Sequence, residues 1–188
     1  MIEQDPFSDF DDLDPAGDRT PYLAPGQYEK LEVVDVYNNV NGKYGHSVIV
    51  TFKILADGLV NWGEVDPADF KRGACVSEEG ARAALTFSMA DRFNYGKKQL
   101  ASLIQATKPD TSSPRDFLNS LFNGERPQVT VSANVEAKYS AARNVLINKT
   151  FRRGEALAAT PTPPAEASST QAKAGPPPGW EEHPTAPG

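Results

Sequence analysis

The sequence predicts a mainly β fold: a small barrel of five strands carrying two helices. Three observations predict it. Tyr28–Tyr37 and Val48–Ile54 alternate apolar and polar residues around a turn-forming stretch, the signature of a hairpin with one buried face. Pro127–Ala137 and Asn144–Phe151 repeat that pattern around a second short connection. Between the two hairpins, Tyr95–Ala106 and the stretch opened by Ser113-Pro114 carry helical spacing instead.

Taken in order, Pro25-Gly26 marks a turn, and the strand after it buries Leu31 and Val33 before its apolar phase restarts at Val34 and Val36. A phase change within a strand is what an inserted residue produces, so a β-bulge is expected near Val33-Val34; a bulge bends a strand as a small barrel requires. Asn41-Gly42 tolerates positive φ and turns the chain, after which Val48, Val50, Phe52 and Ile54 point one way. Ala56–Ala84 has no clear period and several turn markers, and reads as a long excursion with a short helix at Glu78–Ala84. Leu85–Met89 alternates as a third strand. Asn94 is placed to cap the helix Tyr95–Ala106, whose Leu100, Leu103 and Ile104 face inward. Ser113 as cap, Pro114 at the first position and Asp116 at the third start a second helix, with Phe117, Leu118, Leu121 and Phe122 apolar and Asn123-Gly124 as its stop. Val129, Val131, Ala133 and Val135 then alternate inward, Lys138–Arg143 connects, and the last strand ends the body at Gly154.

Composition narrows the function classes. One cysteine, Cys75, permits no disulfide within the chain and suits a reducing compartment. His46 and His183 do not make a zinc site with it, and no metal or cofactor is expected. No apolar run approaches the ~20 residues that span a bilayer, so a soluble cytoplasmic protein is expected. No phosphate-cradling loop, dinucleotide fingerprint or nucleophile–base arrangement is present, and the Asp cluster that could suggest metal chemistry lies in an unstructured arm, so the sequence does not read as an enzyme.

The net charge of −6 is segregated. Residues 1–18 hold seven acids and no base; residues 19–154 hold 18 Lys and Arg against 14 Asp and Glu, a net of +4; the remainder is again acidic. Residues 1–19 read as a disordered acidic arm, 20–154 as the folded domain, and 155–188 as a disordered Pro/Ala-rich tail. In the arm, Phe7 and Phe10 beside Asp11 and Asp12 suit either a partner's basic groove or the body's own. Pro176–Trp180 in the tail suits a partner's aromatic groove or is a passive end.

Aromatic and basic residues share the body's connections. The first hairpin loop has Lys43, Tyr44 and His46; the segment after the third strand has Arg92, Phe93, Tyr95, Lys97 and Lys98; the last hairpin has Lys138, Tyr139 and Arg143. Trp62, in the excursion, is either a lid on the core or a further ring for stacking. Rings that stack bases beside cations that follow a backbone are what single-strand binding needs, and glycine-flanked Tyr44 is the foremost candidate. A five-strand set with a helix before the fourth strand matches an OB-type barrel. On the run Tyr22–Tyr28, the run Val48–Ile54, the aromatic-basic segment, the two helices and the final Val-rich hairpin, the chain resembles bacteriophage OB-fold single-stranded DNA-binding proteins over residues 20–153. The resemblance implies sequence-tolerant binding of single-stranded DNA in phage replication, recombination or repair, inside the host cytoplasm, with replication or recombination proteins as partners of an acidic arm. In that family the acidic arm is usually C-terminal; here it is N-terminal. A non-enzymatic adaptor or virion component, with the barrel as scaffold, is the other expectation.

Overall fold

The alternating stretches pair into one curled sheet, half a barrel, in a computed structural model that describes residues 20–90, 92 and 94–158. Its strands are β1 (Tyr22–Leu23), β2 (Gly26–Asn39), β3 (Ser47–Ile54), β4 (Leu59–Val60), β5 (Cys75–Val76), β6 (Arg82–Ser88), β7 (Val129–Tyr139) and β8 (Val145–Ala156). Two helices, α1 (Tyr95–Thr107) and α2 (Pro114–Phe122), separate β6 from β7. The sheet order is β5-β1-β6-β3-β2-β7-β8, with β4 added beside β2. The five long strands are those expected. The count of five is corrected to eight, because the excursion and the segment before β2 add three pairs of two residues each, too short to show a period.

β2 is the strand on which the sheet curls. Its first residues pair with β7 and its remainder with β3, and the register shifts between Val33 and Asp35 on one side and between Tyr28 and Leu31 on the other. The first shift is the expected bulge. Inside the curl, Leu31, Val50, Phe52, Ile54, Phe87 and Val131 are fully buried, and the Phe52 and Phe151 rings stack with centroids 6.0 Å apart. Burying each such side chain contributes about 1.5–3 kcal/mol.

The helices are held by local chemistry. Ser113 Oγ accepts from Asp116 N at 3.1 Å and donates to its carboxylate at 2.6 Å, so α2 begins where its cap sequence says. It ends at Asn123-Gly124, with Gly124 at φ 96°. α1 begins differently from expectation. Asn94 sits in the left-handed region at φ 57° and its side chain makes no cap bond. The helix is seated instead by Gly96, where a Cβ would fall inside the Ser88 carbonyl.

Two further expectations are corrected. Glu78–Ala84 forms no helix: a single turn closes Ala81 N on Glu78 O, and the chain enters β6 at Arg82, because Ala83, Leu85 and Phe87 alternate into the core against β3. The last strand runs past Gly154 to Ala156, because Thr130 Oγ1 bonds both the N–H and the carbonyl of Glu155. Residues 1–19 and 159–188, with the arm and tail expectations that fall on them, lie outside the described residues. No helix among the described residues is long and apolar enough to cross a membrane.

Between β6 and β8 there is no backbone ladder among the described residues. α1 fills this seam. Phe151 of β8 bonds the Ser102 hydroxyl through both its N–H (3.3 Å) and its carbonyl (3.5 Å), and Lys149 Nζ donates to Thr86 O of β6 at 2.7 Å. Side chains thereby satisfy edge groups that a closed barrel would pair strand to strand.

Candidate nucleic-acid interface

Two of the three aromatic-basic segments meet at one end of the sheet. In the β2–β3 loop, Gly45 N bonds Gly42 O at 2.8 Å, and Gly45 takes φ 91°, a conformation open to glycine. This tight turn holds Tyr44 outward, 91% exposed, next to exposed Lys43. His46 Nε2 lies 2.7 Å from Asn38 Oδ1, and the His46 carbonyl accepts from Met89 N at 2.9 Å. That last bond, with Ser47 paired to Ser88, ties the loop to the end of β6. Gly96 rests on the same Ser88, so the first turn of α1 stands at the same end.

Tyr95, the first residue of α1, is 60% exposed, and Lys98 Nζ lies 5.9 Å from its ring centroid. Lys97, Lys98 and Arg92 are exposed. No acid occupies the first turn of α1, so these lysines face the positive end of the helix dipole, a placement that an anion relieves. Phe93 lies outside the described residues.

The third segment is built differently. The β7–β8 hairpin is closed by Ser140 N to Asn144 O (2.8 Å) and Asn144 N to Ser140 Oγ (3.0 Å), with exposed Arg143 in the left-handed region at φ 58°. β8 runs along α1, with Gln99 Nε2 3.5 Å from Asn148 Oδ1. Lys138 is exposed beside it. The Tyr139 hydroxyl, however, donates to Asp69 Oδ2 at 2.6 Å and accepts from Asp66 N at 3.1 Å, and the Asp69 bond raises its pKa. Tyr139 therefore anchors the excursion and brings two acids to the hairpin. Trp62 packs edge-on against Phe70 (5.8 Å), which meets Tyr22 likewise (5.5 Å), leaving Trp62 half-buried in the excursion's own cluster. Of the expected rings, Tyr44 and Tyr95 stand out with cations beside them, and Trp62 and Tyr139 are engaged within the fold. Phe7, Phe10, Asp11 and Asp12 lie outside the described residues.

No family model matches this chain, and none of the curated proteins matches it.

Two residues were missed by sequence reasoning. Tyr37 is 58% exposed on the outer face of β2, across from Ile49, which pairs in turn with Thr86. Its signal was the phase after the bulge: with Val36 inward, Tyr37 must point out. Lys149 is buried, only 8% exposed, and its signal was its phase with Val145 and Phe151.

Proposed function

We propose that the protein binds single-stranded DNA with little sequence preference, through an OB-type half-barrel. The long strands run in the spatial order β6-β3-β2-β7-β8 with helices between β6 and β7, which supports the OB-type reading. The observation that carries the function is the juxtaposition of Tyr44 and Tyr95, two exposed rings on segments bonded to each other, with Lys43, Lys97 and Lys98 around them. Bases stack on the rings and the lysines follow the phosphates. Tyr37 adds a third exposed ring on the adjoining sheet face. No nucleophile or metal is required for such a role, which is non-enzymatic and fits phage DNA replication, recombination or repair in the host cytoplasm. The acidic arm competes for the groove or recruits replication proteins.

Fluorescent oligo-dT tests this directly. The full chain should bind it in a strongly salt-dependent manner. Tyr44→Ala should weaken binding about tenfold, since one stacked base is worth about 1–3 kcal/mol. Lys97→Glu with Lys98→Glu should weaken it further and flatten the salt dependence. Absence of binding at low salt, even after removal of residues 1–18, would end the proposal.

A second reading is favoured by one observation. Leu59 (72% exposed) and Val60 (47%) sit on the two-residue strand β4 beside β2, an apolar surface suited to a protein partner. In this reading the body is an adaptor or virion scaffold. Leu59→Asp should then abolish partner capture and leave oligo-dT affinity untouched.

A further inference from the structure

The geometry points to an anion subsite at the seam between β6 and β8, where Lys149 and Arg72 together take one phosphate of a bound strand. The subsite rests on the reading of the protein as a single-strand binder. Lys149 enters the seam from β8, where its ladder partner on β7 is Val135. Its ammonium donates to Thr86 O of β6 at 2.7 Å and to Gln99 Oε1 of α1 at 3.3 Å, and it lies 4.8 Å from the Phe87 ring centroid. All of these partners are uncharged. The charged group that acts on it is the exposed Arg72 guanidinium of the excursion, which repels it. The ion pairs formed among the described residues, Lys30–Glu155 and Arg126–Asp35, leave Lys149 without a carboxylate.

A buried cation beside a second cation, with no acid to balance them, is an arrangement folding alone does not favour. The ligand that resolves it is an anion. An ammonium has three N–H donors; two serve Thr86 and Gln99, and the third remains for an incoming oxygen. Gln99 also places the site one helical turn from Tyr95, so a strand stacked on Tyr95 carries its phosphates toward the seam.

Proton linkage makes the subsite measurable. Burial first, and Arg72 second, lower the Lys149 pKa from 10.5 to about 8. A phosphate favours the charged form and raises that value again, so binding takes up a proton, and affinity falls as pH rises through this window. Affinity for oligo-dT is to be measured from pH 7 to 9.5 at constant ionic strength. The wild-type chain should weaken about tenfold across the range. Lys149→Met should be weaker at pH 7 and then flat, which separates the step from the α-amino group that every variant retains. Arg72→Ala, an exposed change that leaves the core intact, should weaken binding at every pH. In parallel, the Lys149 ε-carbon is titrated by 13C NMR with and without oligo-dT, and with inorganic phosphate. A raised pKa with either anion supports the subsite. An unmoved pKa with both, or a Lys149→Met chain that keeps the wild-type pH profile, overturns it. A response to phosphate in a chain that does not bind oligo-dT keeps the anion subsite and overturns the single-strand reading.

Discussion

At the scale of single residues, Lys149 sets burial against charge, and the conflict appears in the stability of the ligand-free protein. Below pH 8 Lys149 is protonated folded and unfolded, and the folded state carries the full desolvation penalty. Between pH 8 and 10.5 the folded state releases its proton first, the unfolded chain binds more protons, and stability rises with pH. The shift corresponds to about 3 kcal/mol. Urea unfolding at intervals across this window should show that rise in the wild-type chain relative to Lys149→Met; parallel curves would mean that Lys149 is not buried as an ammonium. Residues differ in how far the sequence reveals them. Tyr44 was legible because glycines flank it and nothing nearby could bury it. Tyr139 was not, because the acid that occupies its hydroxyl, Asp69, is 70 positions away. Lys149 was half-legible: its phase with Val145 and Phe151 points inward, but only the seam shows what it meets.

At the scale of elements, those with a local cause were legible and those with a remote cause were not. The bulge in β2 announced itself as a phase change, and α2 as a cap followed by an apolar face. The excursion did not, since β4 and β5 exist only because β2 and β1 offer edges to pair with. α1 is intermediate. Its apolar spacing fixed its extent, but its start is set by contact with Ser88 at Gly96, not by Asn94 as cap. This contact ties the cationic first turn to the loop of Tyr44, so it serves both stability and the proposed site. Gly96→Ala should favour an isolated helix by about 1 kcal/mol, yet here overpacking against the Ser88 backbone should dominate and cost about 1–3 kcal/mol in chemical unfolding. A stabilised variant would show that α1 can lift from β6 without loss.

At the scale of the whole molecule, charge is distributed by segment. The mildly basic body, net +4 over residues 19–154, follows a stretch of seven acids in residues 1–18. Such a stretch lowers the local concentration of any polyanion near the body, whether or not it occupies the groove. Field and occupancy differ in their response to salt and to the apolar residues of the arm. A pure field effect is screened over the Debye length, about 10 Å at 0.1 M salt and about 3 Å at 1 M, and is indifferent to Phe7 and Phe10. Occupancy of the groove uses those rings where bases would stack. Deleting residues 1–18 should therefore raise oligo-dT affinity severalfold at low salt, with the gain shrinking as salt increases. Replacing Phe7 and Phe10 by Ala, with every acid retained, should reproduce a substantial part of that gain if the arm competes as a strand mimic. If the double replacement changes nothing while the deletion does, the arm acts through charge alone, and if neither changes affinity it acts on a partner instead.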